Sequence, residues 1–177
     1  MKRLLYIIIL LNLAILTGCG PSKSKMEQQI SVMEEHLFNA ESGFSRAGAD
    51  SLIKLYCDFA IEWPNDSLAP AYLFKAATMA MNLQDAQVSL ALFDQVRASY
   101  PNFEKIPLCL FFTAYVQENV LGDIDQARAS YHQFIETYPD HEFADDAQAS
   151  IDNLGKTPEQ LIQEFEARQK VMAEEKK

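Results

Sequence analysis

The chain has 177 residues and a formal net charge of −10 at pH 7. This length suits one ordinary domain, and the acidic balance argues against nucleic acid as a partner and against attachment to anionic lipid by charge. Without Lys2 and Arg3, 13 basic residues would face 25 acidic ones, so the argument is stronger for the rest of the chain.

Residues 1–18 predict a signal peptide. Met1-Lys2-Arg3 is a basic start, and the stretch from Leu4 to Leu16 is apolar apart from Asn12. A helix that spans a membrane needs about 20 apolar residues. The shorter stretch found here is typical of the apolar region of a secretory signal.

The sequence Leu16-Thr17-Gly18-Cys19 resembles the lipobox of bacterial lipoprotein precursors. The resemblance implies cleavage before Cys19 and acylation of Cys19, which would anchor the chain in a lipid bilayer, since each buried methylene contributes about 0.8 kcal/mol. Glycine at position 20 favours the outer membrane as the destination. Residues 19–25 are then expected to form a lipidated tether that reaches at most about 20 Å.

Three tripeptides punctuate the remaining chain at a spacing of 37 and 38 residues: Trp63-Pro64-Asn65, Tyr100-Pro101-Asn102 and Tyr138-Pro139-Asp140. The positions 12, 8 and 5 before each proline follow helical periodicity and, apart from one serine, are apolar. Each unit therefore predicts a helix with one apolar stripe that proline ends, because proline lacks an N–H and clashes with the preceding turn. The stripe residues are Leu52, Tyr56, Phe59, Ser89, Phe93, Val96, Ala127, Tyr131 and Phe134.

The best of these units resembles the second helix of a tetratricopeptide repeat (TPR), whose pattern is G-D-Y-x-x-A-x3-Y-x2-A-x4-P. It runs from Leu121-Gly122-Asp123-Ile124-Asp125-Gln126-Ala127 through Tyr131 and Phe134 to Pro139. The middle unit is looser, with Gln84 in place of glycine. Repeats of 37–38 residues exceed the family's usual 34, which predicts longer first helices. The sequence Tyr138-Pro139-Asp140, followed by Phe143-Ala144-Asp145-Asp146-Ala147, resembles the BamD-like longer-repeat TPR outer-membrane lipoproteins.

The resemblance implies an all-α fold, a TPR-like α-solenoid of about three and a half helix-turn-helix repeats over residues 26–155. A C-terminal capping helix and a frayed tail are expected over 156–177, with an N-terminal capping box from Thr157 to Gln160. Leu161, Ile162, Phe165 and Met172 would cover the final repeat, as the ends of solenoids require. The predicted helices are about 25–41, 49–62, 67–82, 85–99, 104–120, 123–138, 141–154 and 158–173.

The sequence does not predict an enzyme, a cofactor or a metal site. It has no Gly-rich phosphate loop, G-x-S-x-G elbow or H-E-x-x-H motif. His141 and Asp145 share a helical face, but catalytic zinc sites usually have three protein ligands, and an acidic first turn explains the pair more simply. Cys57 and Cys109 could pair in an oxidising compartment, yet a whole repeat separates them, so unpaired thiols are expected.

In the TPR family the first helix of each repeat lines a concave face, which implies a groove for a protein or peptide partner. Phe74, Phe111 and Tyr115 would hold apolar side chains of a peptide, and asparagines would bond its backbone. The alternative is that aromatic residues at helical spacing pack in the core. The groove candidates are Phe74, Thr78, Met81, Asn82, Phe111, Tyr115, Glu118, Asn119 and Asn153.

Two classes of function follow. The first is a lipid-anchored scaffold or adaptor for protein–protein interaction at the bacterial cell envelope, expected at the outer membrane, with envelope protein assembly as one specific version. The alternative is a periplasmic or surface binding protein for a cell-wall, glycan or small-molecule ligand.

Overall fold

The computed structural model describes residues 22–39 and 44–175. All regular elements in this part of the chain are helices, which confirms the predicted all-α fold class. The predicted signal peptide (1–18) and the lipidated residue Cys19 lie outside the described residues and stay predictions. The helices are α1 Lys23–Phe38, α2 Arg46–Glu62, α3 Ala69–Asn82, α4 Ala86–Ser99, α5 Ile106–Asn119, α6 Ile124–Thr137, α7 Ala144–Asn153 and α8 Pro158–Glu175.

The first helix begins earlier than the sequence predicts. Residues 23–25 form the first turn of α1 rather than the end of a tether, and the N–H groups of Lys25 and Met26 donate to the Ser22 carbonyl. Lys23 forms ion pairs with Glu27, at 3.5 Å, and with Asp66 in the loop before α3. These contacts extend the ordered helix towards the N-terminus.

Each of the first seven helices packs mainly against its neighbours in the chain. Successive helices from α1 to α7 are in contact, and α3 also touches α5. Contacts between neighbours in sequence, with one first helix beside the next, are the arrangement of an α-solenoid. In the described part of the chain, none of the helices is long and apolar enough to cross a membrane.

The core consists of the apolar stripe that the repeat spacing predicts. The residues 12, 8 and 5 positions before each proline are all at most 1% exposed. Full burial of a large apolar side chain contributes roughly 1.5–3 kcal/mol, so the large members of the stripe supply much of the stabilisation. Ser89 is the one polar member, and its hydroxyl donates to the Ala86 carbonyl at 3.1 Å.

Side-chain caps begin the second helices. Ser45, Asp85 and Asp123 accept hydrogen bonds from the backbone N–H three residues on, at 3.0–3.1 Å. Such caps contribute about 1 kcal/mol each. The predicted capping box of α8 is confirmed, because Thr157 and Gln160 exchange backbone-to-side-chain bonds of 2.8 and 3.3 Å.

Helix α8 lies where the sequence predicts it, but its apolar residues do not cover the final repeat. The α8 stripe, defined as Leu161, Ile162, Phe165 and Met172, is 37–62% exposed. A cap would cover Ile151 and Leu154. These residues are already buried in the core cluster of α5, α6 and α7, and only 8% of each is exposed. Gly155 then redirects the chain with a φ of +78°.

A buried tyrosine of a second helix bonds to a glutamate of the preceding first helix. The hydroxyl of Tyr131 donates to Glu118 at 2.8 Å, and that of Tyr56 donates to Glu34 at 2.5 Å. In the middle repeat the tyrosine is replaced by Phe93, and Met81 stands at the position of Glu118; both contribute to one core cluster. A tyrosine hydroxyl in the core therefore occurs together with a carboxylate that accepts its hydrogen bond.

The turns between the helices of the two best repeats have the same left-handed backbone but different residues. Gly122 has a φ of +67°, and Gln84 at the matching position has a φ of +62°. A residue with a Cβ atom in this region costs about 1–3 kcal/mol. Gln84 therefore occupies a position where the TPR pattern has glycine, in a backbone conformation that favours glycine.

We expect Gln84→Gly to raise the free energy of unfolding by roughly 0.5–1 kcal/mol. Relief of the backbone strain stabilises the folded state, and the greater conformational entropy of glycine in the unfolded chain offsets part of this gain. The reverse change, Gly122→Gln, should lower it by about 1 kcal/mol, since no atom lies within 4 Å of a Cβ added there and backbone strain alone acts. Urea denaturation of both variants measures the difference. A destabilised Gln84→Gly protein would contradict the strained turn.

The Glu118–Tyr131 pair can be tested against the apolar version in the middle repeat. Glu118→Met alone should cost about 1–2 kcal/mol, because it removes the acceptor of a buried hydroxyl. Adding Tyr131→Phe should recover part of that loss, giving a coupling of about 1 kcal/mol in a double-mutant cycle. Additive effects of the two changes on urea denaturation would contradict the pairing.

Candidate functional site

A pocket of about 400 Å³ lies where two first helices meet, between α1 and α3. Tyr56 of α2 also reaches it. Pockets of this size are common sites for a small ligand or a single side chain of a partner. This α1–α3 pocket is lined by Glu34, Phe38, Phe44, Tyr56, Lys75, Thr78, Met79 and Asn82.

Three polar side chains from three helices converge in the pocket. The same oxygen of Glu34, Oε1, accepts from the Tyr56 hydroxyl at 2.5 Å and from the Lys75 ammonium at 2.6 Å. Burial opposes ionisation of Glu34, but these hydrogen bonds and the charge of Lys75 outweigh it, so the pKa of Glu34 lies below its ordinary value. Burial, reinforced by the bond to Glu34, raises the pKa of Tyr56 above its ordinary value.

Aromatic faces hold the lysine in place. The Lys75 ammonium lies 5.7 Å from the ring centroids of both Tyr56 and Tyr72. These rings stack on each other with centroids 5.3 Å apart and planes inclined by 21°. Cation–π contacts of this kind contribute about 0.5–1 kcal/mol at exposed sites, so Lys75 is positioned by charge and by aromatic contact together.

Two exposed phenyl rings complete the lining. Phe38, the last residue of α1, is 64% exposed, and Phe44, just before α2, is 61% exposed. Large apolar side chains of an isolated domain are more often buried, and here two of them adjoin one pocket. The site thus combines exposed apolar surface with an ion-paired polar interior, the combination found at binding sites.

Phe74 and Phe111 are buried in the core and do not face a groove, contrary to the prediction. Each is 8% exposed. Both point between their own second helix and the next first helix, where an aromatic ring is closed off from solvent on every side. Phe74 packs against Phe93, Phe103 and Phe112, and Phe111 packs against Phe112, Tyr131, Phe134 and Phe143, with centroids 5.0–6.2 Å apart.

Two other predicted groove residues, Thr78 and Asn82, do line the α1–α3 pocket. The Thr78 hydroxyl lies within hydrogen-bond distance of the carbonyls of Phe74 and Lys75 in its own helix, at 3.1 and 3.0 Å. Asn82 is exposed. Their contact with a partner stays a prediction.

The remaining groove candidates are divided between the surface and the interior. Tyr115 is 41% exposed, and Asn119 is exposed but donates to the Tyr115 carbonyl at 3.1 Å. Met81 packs partly against the core, and Glu118 accepts the bond from Tyr131. Asn82, Asn119 and Asn153 are the last residues of α3, α5 and α7, so their matching repeat positions also mark helix ends.

The sequence interpretation missed the central residues of the pocket, Glu34, Tyr56 and Lys75. One signal was available in the sequence. The residue eight positions before the repeat proline is tyrosine in the first and third units and phenylalanine in the second. A tyrosine hydroxyl buried at this position needs a hydrogen-bond acceptor. The position of that acceptor on α1 could not be predicted from the repeat spacing, because the connection between α1 and α2 is longer than the connections between the other helices.

The other predicted chemical groups are packed. His141 accepts the Phe143 N–H through Nδ1 at 3.2 Å, and its ring lies edge-on to Phe134. In the part of the chain that the structure describes, no three His, Cys, Asp or Glu residues are placed to hold a metal ion. Cys57 and Cys109 are unpaired. Burial raises the pKa of Cys109 to about 12, so its thiolate is scarce at neutral pH.

Comparison with known proteins identifies the repeats. Residues 71–102 and 109–141 match the model of the family described as tetratricopeptide repeat, and these segments contain most of α3–α4 and of α5–α6. No catalytic family was found, and no curated protein matched the sequence. The chain therefore carries tetratricopeptide repeats at residues 71–141, within a TPR-like α-solenoid.

Proposed function

We propose that this chain is a membrane-anchored TPR lipoprotein that acts as a protein–protein interaction scaffold or adaptor at the bacterial cell envelope, held at the outer membrane through acylated Cys19. The TPR domain implies an interaction function. The observation that carries the binding role is the α1–α3 pocket, in which exposed aromatic side chains surround an ion-paired interior. The anchor and the envelope location rest on the lipobox-like sequence Leu16-Thr17-Gly18-Cys19.

The chemistry of the pocket favours a particular kind of partner. Because Glu34 neutralises Lys75, the pocket presents fixed dipoles rather than a bare cation. A partner segment would place an apolar side chain against Phe38 and Phe44 and bond its backbone to the exposed Asn82. The acidic surface of the chain repels acidic proteins, so a neutral or basic segment is favoured. Assembly of envelope proteins is one process that supplies such segments.

The proposed anchor limits where the partner is found. α1 begins at Lys23, and the four residue steps from Cys19 reach at most about 14 Å. The eleven helical steps from Lys23 to Glu34 add about 17 Å. The pocket would therefore stay within roughly 30 Å of the bilayer, and its partner would be bound to the membrane or delivered there.

The anchor is tested by labelling bacterial cultures with a palmitate analogue. The wild-type chain should incorporate the label and partition with the outer membrane, because the acyl chains bury their methylenes. Cys19→Ser should abolish both labelling and membrane attachment. Cys57→Ser is the matched control and should change neither. Equal labelling of the Cys19→Ser variant would contradict the anchor.

The pocket is tested by crosslinking and pull-down from detergent-solubilised envelopes. Phe38→Asp should reduce recovery of a defined protein partner by about tenfold or more, since a charge there opposes the apolar contact. Ile61→Asp is the matched control, because Ile61 is 71% exposed and does not line the pocket. Circular dichroism should show unchanged helix content for both variants.

Two results would overturn the scaffold proposal. One is equal recovery of the partner with Phe38→Asp and with Ile61→Asp. The other is binding to purified peptidoglycan or glycans with no protein partner recovered, which would favour the alternative of a cell-wall or glycan binding protein.

A further inference from the structure

A groove of about 1040 Å³ runs between α1 and α2 at the beginning of the solenoid. Its lining comes from one row of each helix, from Lys25 to Leu37 on α1 and from the N-cap residue Ser45 to Asp58 on α2. Much of this lining is apolar, and Val32 is 59% exposed. We call this surface the α1–α2 groove; it shares no lining residue with the α1–α3 pocket.

The groove is open because of its place in the stack. In a solenoid each repeat buries its faces against the repeats before and after it. α2 packs against α3 on one side, and among the described residues no helix precedes α1. The α1–α2 groove is therefore the face on which a preceding helix would pack.

At the other end of the described chain, the last helix exposes a row of apolar side chains. The α8 stripe is 37–62% exposed, and the neighbouring Val171 is 54% exposed. These residues recur on the C-terminal helix over three turns, whereas in a single chain such a stripe normally lies against a core.

The two surfaces match in length. Along α1 the groove spans twelve residue steps from Lys25 to Leu37, and along α8 the stripe spans eleven steps from Leu161 to Met172. At 1.5 Å per residue these lengths are about 18 Å and about 17 Å. A helix laid in a groove between two helices also repeats the packing that joins the other repeats of this chain.

The two surfaces also match in charge. The groove lining includes the ammonium groups of Lys25 and Lys54 and one carboxylate, that of Asp58, which pairs with Lys54 at 2.5 Å. α8 carries side chains of both signs, with carboxylates in excess: Glu159, Glu164, Glu166, Arg168 and Lys170. The Glu164 carboxylate already pairs with Lys156 and Arg168. Cations are in excess by one in the groove lining and carboxylates are in excess on α8, so contact between unlike ends is favoured modestly over contact between like ends.

We propose that the α8 stripe of one copy docks in the α1–α2 groove of a second copy. The contact is head-to-tail, so it leaves one groove and one stripe unused in each pair and permits further addition. One helix in one groove is a small interface, and weak, concentration-dependent association is expected. The inference does not depend on the lipid anchor or on the α1–α3 pocket.

The test uses the chain from residue 19 on, with Cys19→Ser so that no lipid is attached; this chain contains every described helix. Its mass is followed by analytical ultracentrifugation over a wide range of concentration. Val32→Asp blocks the groove and Phe165→Asp blocks the stripe. Both side chains are about three-fifths exposed, so each variant is expected to keep its helix content by circular dichroism.

The parent chain, with its groove and stripe intact, should have an average mass that rises with protein concentration. Each variant alone should be monomeric, with association weakened by about tenfold or more. An equimolar mixture of the two variants should form a one-to-one dimer, because the intact groove of Phe165→Asp meets the intact stripe of Val32→Asp. Ile61→Asp is the control and should associate like the parent chain.

Three results would overturn the proposal. The parent chain could stay monomeric at all concentrations. The mixture of variants could stay monomeric although the parent associates. Val32→Asp could still self-associate while Phe165→Asp does not, which would show that stripes pair with stripes.

Discussion

Each repeat of this protein buries its apolar stripe against helices adjacent in the chain, and the remaining properties depend on this local burial. The stripe residues before Pro64, Pro101 and Pro139 are closed off by the helix before and the helix after. Packing between helices adjacent in the chain provides most of the contacts among the described helices, so the first and last of these have fewer described neighbours than the interior helices have. Open ends with apolar surface are the direct consequence.

Burial in the stripe also determines where polar groups are placed. A tyrosine in the core needs an acceptor, and first helices supply Glu34 and Glu118 for Tyr56 and Tyr131. In the third repeat the Glu118 carboxylate accepts the bond from Tyr131 and has only this structural role in the fold. In the first, the same carboxylate also binds Lys75 beside exposed phenyl rings. One rule of core satisfaction thus produces a stabilising contact in one repeat and a candidate binding site in another.

Much of the architecture could be predicted from the spacing of aromatic residues and prolines. Helical periodicity is a local property, and the caps at Asp123 and Thr157 act within a few residues. The candidate groove was harder, because the sequence shows that Phe74 and Phe111 lie on first helices but not which side of each helix faces its neighbour. An aromatic residue at helical spacing is equally compatible with a core and with a binding surface. The packing of neighbouring helices around Phe74 and Phe111 places both rings in the core.

By itself the sequence determined the helices, their order, the buried stripe and the turns, because each of these follows from interactions between residues close together in the chain. Only the tertiary structure decided which first-helix residues are exposed, that Glu34, Tyr56 and Lys75 meet, and that α8 leaves its apolar side uncovered. These outcomes depend on the relative rotation and position of whole helices. A repeat spacing does not contain that information, because the rotation and position of each helix are set by side-chain packing against its neighbouring helices.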